Sequence, residues 1–203
     1  MAPRLLDVLE EARRRGFLGP GPVEEQVRHA EILAELAAPP PRSFLDLGSG
    51  GGIPGLVLAH RWPEAQGVLV DAGERRCRFL REAVVGLTLG GRVQVACGRA
   101  EELAREPAWR ESTELVVARS FGAPAVTAEC AVGFLERGGR LVVSEPPEPD
   151  ETRWPAAGLR RLGLAGPVIR RRAGVSVAVL TVVEPVSRRW PRRVGIPAKR
   201  PLW

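Results

Sequence analysis

The chain opens on helical periodicity. Residues 3–15 and 22–37 read as helices; in the second, Val23, Val27, Ala30, Ile32, Leu33 and Leu36 keep largely to one side. Gly19-Pro20-Gly21-Pro22 separates the two, and Pro39-Pro40-Pro41 ends the second, because proline lacks the N–H a helix needs. From Phe44 the pattern changes to short apolar runs at 44–47, 68–70, 93–96, 115–118 and 141–143, with helical segments near 54–60, 74–89, 101–106 and 123–136 between them. Short β-rich runs separated by helices predict an α/β fold, a parallel sheet covered by helices on both faces. A helix near 156–162 then precedes two more β-rich runs, 167–172 and 175–183. No long helix separates those two, so they are expected to pair as an antiparallel hairpin at the sheet edge. The chain thus divides into an N-terminal helical region (1–41), an α/β domain (42–186) and an Arg- and Pro-rich tail (187–203) expected to be irregular.

Composition narrows the class. A length of 203 residues suits one domain with a short appendage. No apolar run approaches the roughly 20 residues that span a bilayer, and the residues after Met1 carry no apolar signal core. Cys77, Cys97 and Cys130 form no C-x-x-C pair, and only His29 and His60 could join them, so neither a metal site nor a disulfide framework is expected. The odd cysteine count favours a reducing compartment, and the cytoplasm is the expected location. The net charge of +6 is uneven: residues 153–203 hold 12 of the 30 basic groups against Glu184 alone, whereas residues 1–152 are net acidic. A basic tail suits a polyanionic partner such as RNA, with a merely solvated tail as the other reading.

The strongest chemical signal is Asp46-Leu47-Gly48-Ser49-Gly50-Gly51-Gly52, directly after the first apolar run. Glycines there let the backbone turn tightly and approach a ligand. A dinucleotide fingerprint would need Gly where Ile53 stands; the observed spacing is D-x-G-x-G-x-G. An acidic residue two before the first glycine suits a ligand with a cationic amino group, as in S-adenosylmethionine. Asp71, ending the second run, is placed either to accept from a ribose diol or to cap the helix near Glu74. Ala100 and Glu101 follow the third run, where an adenine should lie. Arg119-Ser120-Phe121 closes the fourth; Arg119 either meets an anionic substrate or forms an internal ion pair, and Phe121 either stacks on a flipped base or packs in the core.

Residues 44–56 (FLDLGSGGGIPGL), Asp71 with Arg75-Arg76 and Phe79-Leu80, residues 98–102, residues 117–124 (VARSFGAP) and residues 190–202 (WPRRVGIPAKRPL) together resemble the ribosomal RNA small-subunit methyltransferase G family, also called glucose-inhibited division protein B. The resemblance implies a Rossmann-like class I S-adenosylmethionine-dependent methyltransferase, with a mostly parallel seven-stranded sheet and an antiparallel edge strand. It implies methylation of guanine N7 in 16S ribosomal RNA near the decoding site, on free RNA or the small subunit. By position, Asp46, Gly48, Ser49, Gly50 and Gly52 would hold the methionine part of the donor and Asp71 the ribose, with Ala100 and Glu101 flanking the adenine. Arg119, Phe121 and His29 would lie on the substrate side. Guanine N7 is an unprotonated acceptor, so no general base is required.

Two departures stand out. No Asn-Leu-Thr stretch precedes His29, and the family's Lys-Gly after the fifth strand is replaced by Ser144-Glu145-Pro146-Pro147. The second, which puts Glu145 at the substrate mouth in place of a cation, suggests one alternative, a small-molecule methyltransferase on the same scaffold; another, from a different class, is an RNA-binding or regulatory protein that keeps the donor pocket without catalysis.

Overall fold

The computed structural model describes residues 4–203, so the expected start of the first helix at Pro3, and the segment before it, lie outside the described residues. The chain runs α1 (Leu5–Arg14), α2 (Val23–Leu36), β1 (Ser43–Leu47), α3 (Gly55–Arg61), β2 (Gln66–Asp71), α4 (Glu74–Gly86), β3 (Val93–Cys97), α5 (Ala100–Leu103), β4 (Thr113–Ala118), α6 (Pro124–Val132) and β5 (Leu135–Glu145). A 3-10 turn (Glu151–Arg153), α7 (Ala156–Arg161), β6 (Leu164–Arg172), β7 (Val175–Val182) and α8 (Ile196–Lys199) follow. The sheet order is β3-β2-β1-β4-β5-β7-β6. Strands β1 to β5 are parallel to one another, and β7 runs antiparallel to both β5 and β6. The expected hairpin is present, turning through Ala173 and Gly174 at φ 47° and 80°, the left-handed pair that suits a two-residue connection. Its reversed strand is not the outermost one: β7 is seated between β5 and β6. The helix expected over 123–136 stops at Val132, because β5 begins at Leu135.

Period-two alternation sorts the sheet into two apolar layers. Phe44, Leu115, Val117, Val142 and Val177 face α1 to α4, while Leu45, Leu47, Val116, Leu141 and Leu180 face α5, α6, α7 and Trp190. Helices α1 and α2 therefore share a core with the sheet, through Leu9, Val23, Ala30 and Leu33. Two further expectations are corrected. Cys77 of α4 and Cys97 of β3 are disulfide-bonded, with Cα atoms 5.8 Å apart. Cys97 lies opposite Asp71 in the β2–β3 ladder and Cys77 near the start of the next helix, a proximity that sequence spacing does not reveal. The cysteine count therefore carries no argument about compartment.

The tail, for its part, is packed: Trp190 is buried, Arg192 is paired with Glu129, and residues 196–199 form α8. Among the described residues no helix is long and apolar enough to cross a membrane, and no group of three or more His, Cys, Asp or Glu side chains converges as metal ligands would.

Candidate active site

The chain order of the sheet reverses between β1 and β4, whose carboxyl ends lie side by side with Leu47 opposite Ala118. Ligands in open α/β sheets bind at such a point, and the loops leaving it begin with Gly48 and Arg119. Alternation along β1 places Asp46 with Phe44, on the α3 side of the sheet. Asp46 is consequently only 1% exposed and sits behind the glycine loop, in the wall of neither cavity described below. Its Oδ2 accepts from the Gly55 N–H (2.9 Å) at the start of α3, and its backbone carbonyl accepts from the Ser49 hydroxyl (3.0 Å). Its Oδ1 is buried without a hydrogen-bond partner. Gly48 has φ 79°, and a Cβ there would lie 2.7 Å from the Phe121 ring, so both conformation and space require glycine.

Two cavities meet at Gly48. The first, about 400 Å³, is lined by Asp71, Gly98, Ala100, Glu101, Phe121 and Ala198 among others. Asp71 serves the protein from both oxygens: Oδ2 accepts from Gly50 N–H (2.9 Å), and Oδ1 from Gly73 N–H and Arg76 Nε (both 2.8 Å). It thus ties the glycine loop to the start of α4 while facing the cavity. Glu101 is 3% exposed, and its Oε1 accepts from the Gly195 N–H (3.0 Å) and from Arg99 (3.3 Å). Burial works to raise the Glu101 pKa, but these bonds outweigh it and hold it below the ordinary value.

The tail therefore walls this cavity, through Ala198 and through Gly195 bound to Glu101, which the sequence reading missed. The available signal was Gly195 followed by Pro197, the proline-in-the-first-turn pattern of a helix start.

The second cavity, about 380 Å³, lies between the Phe17–Pro20 connection and the glycine loop, with Gln26 and Arg119 at its sides. Gln26, 7% exposed, pins that connection through Nε2 to the Gly19 carbonyl (3.2 Å). Reading Gly19–Pro22 only as a separator missed this wall as well.

Beyond Arg119 and Phe121 lies a third cavity, the mouth, about 280 Å³, bounded also by Ser144, Glu145 and Arg153. Ser120 has φ 55°, a costly conformation for a residue with a Cβ, and it turns the chain sharply between Arg119 and Phe121. Arg119 lines both the glycine-loop cavity and the mouth, and its Nη1 is buried without a partner. Phe121 partitions the mouth from the first cavity and covers Gly48, half-buried and packed against the second apolar layer, as the core-packing reading had it. His29 approaches from α2, with Nε2 3.4 Å from the Ser144 hydroxyl and a buried, unpartnered Nδ1. Glu145, expected at the mouth as a new anion, is turned inward: Arg153 Nε donates to Oε2 (2.6 Å) and Trp154 Nε1 to Oε1 (2.9 Å).

Burial dominates the electrostatics. It lowers the Arg119 pKa, partly opposed by the Asp46 charge, and lowers that of His29, with the Arg119 charge adding to it. Burial also raises the Asp46 pKa from 3.8 to about 7, against the Gly55 hydrogen bond that lowers it. The folded state thus keeps a proton that the unfolded chain releases, so this group's stabilisation is full below pH 3.8 and is lost as the pH rises through about 7. Donor-free protein should therefore lose stability relative to an Asp46→Asn variant between pH 5 and pH 8. Thermal unfolding of both proteins across that range measures it; a constant difference would show that Asp46 titrates normally.

A family model described as rRNA small subunit methyltransferase G matches residues 26–147, from α2 through β5, and so includes the glycine loop, Asp71 and Arg119. Ribosomal RNA small subunit methyltransferase G of Symbiobacterium thermophilum is 34% identical over 199 residues, spanning 89% of this chain and 80% of its own. The protein of the same name from Moorella thermoacetica is 33% identical over 178 residues, spanning 84% and 74%. Among solved structures, an O-methyltransferase family protein from Burkholderia thailandensis superposes with a TM-score of 0.62 at 17% identity, over 80% of this chain and 57% of that one. A T. thermophilus 16S rRNA methyltransferase in complex with AdoMet and guanosine gives 0.53 at 20% identity, over 79% and 40%. At these identities the two structures speak for the fold, and the sequence relatives carry the rest. With the family model matched over more than half of its length and relatives of that name 33–34% identical over most of it, the chain belongs to the rRNA small subunit methyltransferase G family and is an S-adenosylmethionine-dependent methyltransferase.

Proposed function

We propose that this protein methylates N7 of a guanine in 16S ribosomal RNA near the decoding site. The observation that carries the choice of atom is the chemistry of the mouth. Its one carboxylate, Glu145, has both oxygens engaged, and His29 Nε2 lies 3.4 Å from the Ser144 hydroxyl. Among the described residues no carboxylate is thus free at the mouth to take a proton from an attacking hydroxyl or amine, and His29 is not one of the residues that line it. Guanine N7 carries no proton and needs none removed. The contact that suggested a small-molecule substrate, Glu145 in place of a cation, is accounted for by its pairing with Arg153.

The pocket fits the donor on its own terms. Arg119 Nη1 is a buried polar atom without a partner, on a residue that lines the glycine-walled cavity, and at Gly48 a Cβ would lie 2.7 Å from the Phe121 ring, so the loop is shaped as only glycine allows. An acceptor on the bound donor or on the substrate would give that atom its partner, since an unpaired buried polar atom is costly. The donor supplies an electrophilic methyl on a positive sulfur. Gly48, Ser49, Gly50 and Gly52 form the turn that admits its methionine part, Asp71 offers its remaining acceptor position to the ribose, and Ala100 and Glu101 border the adenine. Arg119 and Phe121 orient the incoming guanine above Gly48. Burial and the Arg119 charge push the His29 pKa down, which disfavours a second positive charge beside Arg119. Orientation and exclusion of water are the protein's main contribution to such a displacement.

Methyl transfer from labelled donor to small-subunit RNA lacking the modification tests this reading, with the product mapped by the strand scission that N7-methylated guanine permits. Label in another atom, or none in the RNA, would overturn it.

A further inference from the structure

The mouth holds two guanidinium groups and one carboxylate, and the carboxylate is committed elsewhere. Glu145 has a fully buried side chain, whereas that of Arg153 is 33% exposed. The ion pair reaches Arg153 through Nε alone, one of the five N–H donors of a guanidinium. Arg153 is also held by its backbone. Asp150 Oδ1 accepts from both the N–H and the hydroxyl of Thr152 (2.8 Å each), fixing the 3-10 turn, and Trp203 Nε1 donates to the Arg153 carbonyl (2.9 Å). The Trp203 ring lies 6.4 Å from that of Trp154, which closes the back of the same turn. A long flexible cation is thus fixed at the rim of the mouth, across from Arg119.

We propose that Arg153 is a substrate-binding residue: together with Arg119 it grips a phosphate of the RNA strand that carries the target nucleotide. The inference rests on the RNA-methylating reading above. A nucleotide extruded from a helix swings about its backbone, so its phosphates come to rest at the rim of the pocket that receives the base. Contacts there set register without reading sequence, and arginine's planar fork suits them. Glu145 acts as a positioning residue, since a guanidinium already oriented loses less freedom on binding.

Three measurements on the full chain test the assignment: kcat/KM for undermethylated small-subunit RNA, the salt dependence of RNA binding, and donor affinity. Arg153→Ala should lower kcat/KM about tenfold or more and reduce the slope of log K against log salt by about one, with donor affinity unchanged. Arg153→Lys should keep the slope. Arg153→Ala leaves Glu145 as a buried unpaired charge, so the double variant with Glu145→Gln is measured beside it and should show the same two losses. Wild-type kcat/KM and slope in the double variant would overturn the assignment, as would a parallel loss of donor affinity, which would mean that Arg153 acts only through the fold. Wild-type protein that transfers no methyl to the RNA overturns the functional reading, and this assignment with it. Transfer that is normal in both wild type and variants overturns this assignment alone.

Discussion

Replacing Arg119 with Ala should lower methyl transfer by about two orders of magnitude or more, with donor affinity changed less than tenfold. The magnitude is that of losing an orienting, charge-complementary group in a water-poor site. The reason lies in the sheet: β1 and β4 are neighbours in register, so the residue after Ala118 emerges beside the one after Leu47. Arg119 therefore lines both the glycine-loop cavity and the mouth. Its Nη1 is buried and has no partner within the protein, while a guanidinium cannot shed its charge, so the site calls for an anion or a carbonyl. Single-turnover kinetics at saturating donor, beside a donor titration, separates the two ligands it faces. If donor affinity falls as far as the rate, Arg119 belongs to the donor's carboxylate; if neither changes, Arg119 is structural and the substrate-side assignment fails.

Arg192→Ala should cost roughly 3–5 kcal/mol of stability, the range for removing one partner of a buried pair. That corresponds to a fall in melting temperature on the order of 10 °C for a chain of this length. Arg192 donates to Glu129 through Nε (2.8 Å), Nη2 (2.6 Å) and its backbone N–H (2.8 Å), and the Glu129 side chain is fully buried on α6. Removing Arg192 leaves that carboxylate charged among apolar neighbours. Pairing the change with Glu129→Gln should recover most of the loss, because the unpaired charge is then gone. Truncation after Ser187 should go further and abolish donor binding, since Ala198 and the Gly195–Glu101 bond wall the first cavity. Chemical denaturation and calorimetric donor titration measure these effects. A truncated chain that melts normally and binds donor would reduce the tail to a solvated basic segment.

Local signals in the sequence were enough for the alternation of strands and helices, the glycine loop, the hairpin and the family. Each of those rests on near neighbours along the chain: apolar runs with their period, turn glycines, and motif spacing. What only the tertiary structure decided depends on partners far apart in sequence. Glu145 looked like an anion gained at the mouth until Arg153 and Trp154 came round to take both its oxygens. Arg192 looked like one free cation among several until α6 placed Glu129 beneath it. Cys77 and Cys97 became neighbours only once β3 lay against β2. A charged side chain carries no mark of whether it meets solvent or a counter-ion, because its cost or benefit is set by burial and pairing, and both come into being only when the layers close.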